Sequence, residues 1–115
     1  MLAHGAVLCK QFFSTEELIA IVVDYRNAGL SDEEVALMAF AQRVILDPGE
    51  IEEGDFQALR GFDLQDEEIF DVVLVATARS FFSKTVDSLG VVPDDIYKDL
   101  EPELLKVLAV GRPYP

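Results

Sequence analysis

Ser14-Thr15-Glu16-Glu17-Leu18-Ile19 and Ser31-Asp32-Glu33-Glu34-Val35-Ala36 share one local pattern, and reading it decides the fold. In each, the serine hydroxyl can accept from the amide three residues on, while the glutamate found there reaches back to the serine's own amide. This is a capping box, which satisfies two backbone donors that would otherwise be left open at a helix start. Each such cap stabilises its helix by about 1 kcal/mol. The first predicts a helix to about Ala28, with Leu18, Ile19, Ile21, Val22 and Tyr25 as its apolar stripe. Gly29 suits the left-handed residue that ends it. The second predicts a helix through Val35, Leu37, Met38, Phe40 and Ala41 to about Leu46. There Asp47-Pro48-Gly49 stops it, because proline disfavours helix at the residue before it.

Further helices are expected on either side of this grammar. A short one is predicted from about Asp55 to Arg60, closed by Gly61. A long one is predicted from Asp66 to about Leu89, roughly 36 Å at ~1.5 Å per residue, with Gly90 at its end. Between Ile69 and Phe82 only Asp71, Thr77, Arg79 and Ser80 interrupt the apolar run. A helix apolar nearly all round must be covered on nearly all sides, so a central helix, partly covered by another subunit, is expected. Phe70, Phe81 and Phe82 stand at helical spacing and read as core or, in preference, as subunit interface. Pro93-Asp94-Asp95 and Glu101-Pro102-Glu103 open two last short helices, and Gly111-Arg112-Pro113-Tyr114-Pro115 should not be regular. The expectation is an all-α bundle of about five or six helices in one domain, residues 1–115.

Arg26 to Val35 aligns with Arg60 to Ile69 at an offset of 34 residues. That period is also a known helical-repeat spacing, but a solenoid needs about three stacked units. A shared way of starting a helix explains the echo better.

The 115 residues carry 9 Lys and Arg against 22 Asp and Glu, a net charge of −13. Nucleic-acid binding needs clustered basic residues, and an anionic membrane surface would repel this chain, so neither partner is expected. A single cysteine cannot form an internal disulfide, which suits a reducing compartment. The opening residues lack the marks of a signal peptide, and the longest apolar stretch, between Asp71 and Arg79, is far short of a bilayer span. The expectation is a soluble, cytoplasmic protein.

Several segments together resemble one family. Met1-Leu2-Ala3-His4-Gly5-Ala6-Val7-Leu8-Cys9-Lys10 is similar to the second half of a redox motif; Asp24 to Ser31 to a helix-to-helix joint; Ala39-Phe40-Ala41 with Asp47-Pro48 to an alanine-rich helix and its stop. Asp55, Ala58-Leu59-Arg60-Gly61 and Asp66-Glu67-Glu68-Ile69 resemble the start of the long helix in that family, and Ser88-Leu89-Gly90-Val91 its exit. From about His4 to about Asp95, the chain thus resembles the alkylhydroperoxidase-D / carboxymuconolactone decarboxylase superfamily, on its peroxidase-related branch. The resemblance implies an oligomeric helical bundle that reduces a hydroperoxide with a Cys-x-x-Cys pair, drawing electrons from a dithiol. It also implies that the second cysteine would fall at the residue before Met1, so that N-terminal helices and the thiol pair lie outside this chain. His4 then lands on the position of a proton-relay histidine. Phe81-Phe82-Ser83-Lys84 departs from the Asn-Arg pair expected there.

Cys9 is the other candidate catalytic residue. It lies five positions after His4, and on a helix that separates the two by about 140°, so they do not share a face. Packing as a small core residue is the favoured reading of Cys9 and a reactive thiol the alternative. No cofactor or metal is expected. The lone histidine excludes paired Glu-x-x-His iron ligation, and no serine is placed to complete a Ser-His-Asp site. The run Asp47, Glu50, Glu52, Glu53, Asp55 lacks a calcium-loop register and reads as a solvated face. Three functions follow: a peroxidase-related oxidoreductase, a non-catalytic oligomerising bundle and, more weakly, a lactone decarboxylase.

Overall fold

The computed structural model describes residues Met1–Gly111; the expectation for Arg112 to Pro115 lies outside them. Among the described residues there are six α-helices and no strand: α1 (Leu2–Gln11), α2 (Thr15–Asp24), α3 (Asp32–Leu46), α4 (Glu53–Arg60), α5 (Asp66–Ser88) and α6 (Pro102–Leu108). Single 3-10 turns lie at Tyr25–Asn27, Pro48–Glu50 and Asp95–Asp99. The all-α expectation holds.

Both capping boxes form. Glu17 N donates to Ser14 Oγ at 3.1 Å and Ser14 N to Glu17 Oε2 at 2.7 Å. Glu34 N and Ser31 make the same pair of bonds at 3.2 and 2.8 Å. The first helix stops sooner than its stripe suggested. Asp24 accepts from Arg26 N at 3.1 Å, and its side chain starts a 3-10 turn where Tyr25 had been read as helix. Proline at Pro48 ends α3 as expected, and the turn it opens runs only to Glu50.

The echo at 34 residues is a structural one. Gly29 and Asp63 occupy equivalent places in it, and both adopt left-handed backbone, with φ of 79° and 62°. Two residues on, Ser31 N donates to Glu34, and Gln65 N to Glu68 Oε2 at 2.7 Å. The same turn therefore launches α3 and α5, which accounts for the repeat without a solenoid.

The side chains gather into two compact units. Among the described residues, the first takes Met1–Gly29 together with Val86 to Gly111, and the second is continuous from Leu30 to Thr85. In the first, Leu2 of α1, Leu18 of α2, and Leu104 and Leu108 of α6 form the buried core, joined by Leu8, Cys9, Phe13, Ile19, Val22 and Tyr97. Gly5 is buried where α1 meets α6: a Cβ there would stand 2.4 Å from Leu108 Cδ1. In the second, Phe40 and Val44 of α3, Leu59 of α4 and Ile69 of α5 are buried. The rings of Phe40 and Phe56 meet edge to face, with centroids 5.7 Å apart. Burying a leucine as fully as Leu59 or Leu104 contributes about 1.5–3 kcal/mol.

Arginines fasten the joints of the second unit. Arg43 Nη1 lies 2.9 Å from Asp55 Oδ1 and its Nη2 donates to the Glu50 carbonyl, tying α3 to the start of α4. Arg60 reaches Glu53 at 2.7 Å and Asp66 at 3.0 Å, spanning the turn between α4 and α5. Asp66 first, then Glu53, raise the Arg60 guanidinium above its ordinary value. A guanidinium so raised stays charged throughout the ordinary pH range. Part of the acidic run read as solvated is therefore paired with arginine.

α5 has the expected length, 23 residues. A central position within the chain is not seen: Ile69 is its one buried residue, and Val72, Val73 and Ala76 are partly buried on the same side.

Candidate functional sites on the first and fifth helices

Helix α1 carries both sequence-expected site residues. It lacks an acidic residue in its first turn and has no side-chain cap, so it was not marked by the grammar that reveals α2 and α3. What holds it is burial of Leu2 and Gly5 on one face. His4, on the other, is exposed, and among the described residues it has no hydrogen-bond partner.

Cys9 is half-buried against the Leu2, Leu18, Leu104 and Leu108 cluster. Its Sγ lies 3.4 Å from Thr15 Oγ1, and Thr15 Oγ1 donates to Glu101 Oε1 at 3.2 Å. A hydroxyl has one hydrogen to give. With that hydrogen on Glu101, the Cys9 thiol becomes the donor in its own contact, so the chain of bonds runs from Cys9 through Thr15 to Glu101. His4 takes no part in it. The structure thus places the two candidates on different faces of one short helix and does not bring them together.

Sequence reading missed Thr15 and Glu101 as neighbours of Cys9. They stand 86 positions apart, and no local pattern signals such a meeting. Among the described residues no group of three or more His, Cys, Asp or Glu could hold a metal ion.

The other feature is the outer side of α5. Phe70, Leu74, Val75, Phe81 and Phe82 are 61, 48, 69, 74 and 58 % exposed. On a helix these five positions fall within about 140° of arc. The helix is therefore apolar on two sides, and the described residues cover only the side carrying Ile69. No described helix is long and apolar enough to cross a membrane, α5 included.

In comparisons with known proteins, no family model matches the chain, and neither does any curated protein or solved structure.

Proposed function

We propose that this chain works by association, as a non-catalytic helical bundle that assembles with copies of itself through α5. The observation that carries the reading is the outer face of α5, with three phenylalanines, a leucine and a valine about half or more exposed on one helix. Exposed apolar patches of this kind mark interaction surfaces. Each Å² removed from water is favourable by roughly 25 cal/mol. Charge agrees. In a chain of net −13, the stretch from Phe70 to Phe82 holds one acid, Asp71, and one base, Arg79, so copies can meet here with little repulsion.

Hydroperoxide reduction is what the resemblance implies, and it rests on the segments quoted for it. On this chain it would require a thiolate at Cys9, attack on the peroxide to give a sulfenic acid, and capture by an external thiol. The hydrogen bond from Cys9 to Thr15 and the separation of His4 favour packing for this cysteine instead. Lactone decarboxylation has no support in the geometry.

Two measurements test the proposal. Analytical ultracentrifugation at micromolar concentration should give a mass that is a multiple of 12.8 kDa; a monomer mass would sink the association reading. Peroxide consumption with a dithiol donor should be absent. Turnover that is lost on Cys9→Ser would overturn the non-catalytic part and restore the oxidoreductase.

A further inference from the structure

We infer that α5 pairs antiparallel with α5 of a second copy, about a two-fold axis near Val75, so that Asp71 of each copy meets Arg79 of the other. This rests on the association reading above and names its partner and geometry. The argument begins with the distribution of charge along the helix. Asp66, Glu67, Glu68 and Asp71 occupy its first six residues, whereas its two bases, Arg79 and Lys84, lie in the second half with one acid, Asp87, next to the last position. Two of the acids are already engaged: Asp66 pairs with Arg60, and Glu68 accepts from Gln65 N. Glu67 and Asp71 are exposed and make no ion pair among the described residues.

A helix with four acids in its first two turns and a second half that is net positive is self-complementary only when two copies run in opposite directions. A parallel pair would stack Glu67 on Glu67 and Asp71 on Asp71. An antiparallel pair centred near Val75 sets Phe70 against Phe81, Asp71 against Arg79 and Glu67 opposite Lys84, and the two-fold repeats each contact. Angular position agrees. Counting from Phe70, Leu74 and Phe81 fall within about 40°, Asp71 lies at about 100°, Val75 and Phe82 at about 120–140°, and Arg79 at about 180°. Asp71 thus lies within the apolar arc and Arg79 just beyond its Val75 edge, both on the same side of the arc's midline at about 70°. Across a perpendicular two-fold, residues on the same side of the midline face each other. Arg79 Nη1 donates to Ser83 Oγ, one turn on along its own helix and at about 220°, so pairing with Asp71 exchanges that bond for an ion pair.

The surface available suits a second copy of this size. The exposed fractions of Phe70, Phe81 and Phe82 amount to roughly 400 Å² per chain, taking about 200 Å² for each phenylalanine. With Leu74 and Val75 included, two copies bring together about 1,000 Å², the level at which specific interfaces begin.

The test is made on the whole chain, by sedimentation and by cross-linking. Asp71→Arg and Arg79→Asp should each weaken dimerisation by about tenfold, since each sets like charges opposed twice over. The double exchange should return the affinity to within about threefold of the parent. In a Cys9→Ser background, Leu74→Cys lies near the axis and should cross-link to its own copy on oxidation, whereas Ser88→Cys, at the far end, should not. Cross-linking at both sites means a parallel pair and overturns the inference. A dimer that neither cross-links at residue 74 nor responds to the charge exchange uses another face; it overturns the inference and leaves association standing. A monomer mass for the parent chain removes both.

Discussion

Helix α6 has seven residues and buries two leucines, Leu104 at 1 % exposure and Leu108 at 3 %. Helix α5 has 23 residues, many more of them apolar, and buries only Ile69. Neither length nor hydropathy decided which helix became core. α6 carries its leucines four positions apart on one face, and Leu2 and Leu18 close over that face. α5 spreads its apolar residues around the helix, and the chain supplies α3 and α4 to cover one side of it. A short amphipathic helix is satisfied by its own chain; a long helix apolar on two sides leaves surface for something else.

The contrast is broken most directly by truncating a large side chain on each helix. Leu104→Ala should destabilise the fold by about 3 kcal/mol, through lost burial and the cavity left behind. Phe81→Ala, in solution too dilute for association, should cost less than about 1 kcal/mol, since most of its ring already faces water. Urea denaturation followed by circular dichroism reads both. Comparable losses would mean that α5 is buried in a way the exposure of Phe81 denies.

A pair of glycines sharpens the α6 side of the comparison. Gly5→Ala improves helix propensity by about 1 kcal/mol but drives a methyl into buried Leu108, an overpacking that costs about 1–3 kcal/mol. The net should be a loss of about 1 kcal/mol. Gly54→Ala on α4 meets nothing within 4 Å and should gain a few tenths of a kcal/mol. Melting temperatures moving in opposite directions check the two together; a gain for Gly5→Ala would show that α1 does not lie tightly on α6.

A smaller effect concerns how helices begin. Ser31→Ala should cost about 1 kcal/mol, because the amide of Glu34 loses its acceptor. Smallest of all is Cys9→Ser. A hydroxyl can keep the bond to Thr15, so stability should change by less than about 1 kcal/mol, and oxidant sensitivity at this position should vanish. Mass spectrometry after peroxide treatment and thermal melting test the two halves of that statement.

Much of the helix pattern was legible because starts and stops are written in short segments. Ser14, Ser31, Pro48 and Gly90 each act within one helical turn of themselves, and a local signal survives without knowledge of the rest. α1 escaped because it has no such opening and is held from afar, by Leu18 and Leu108. The end of α2 was misplaced by a few residues because Asp24 bonds its own downstream backbone, a choice that hydrophobic spacing does not reveal. The division into two cores was not legible either, since it depends on which leucines meet. For the candidate site, the periodicity that separates His4 from Cys9 could be counted in advance. The Thr15–Glu101 link beside Cys9 could not. On α5 the apolar content could be read from the sequence, whereas which side the chain would leave open depended on where α3 and α4 came to rest.

The meeting of α1, α2 and α6 in one core also fixes an order of events during synthesis. Residues Leu30 to Thr85 form a continuous unit, and all of its core side chains leave the ribosome together. Leu2 and Leu18 emerge well before their partners Leu104 and Leu108. Helices α1 and α2 must therefore wait, with apolar side chains uncovered, until α6 has been made. Contacts of such sequence separation close slowly. A nascent chain stalled before Leu104 would carry a finished second unit beside an open first one. The growing polypeptide is most in need of protection from aggregation at α1 and α2, whose partners are made long after them.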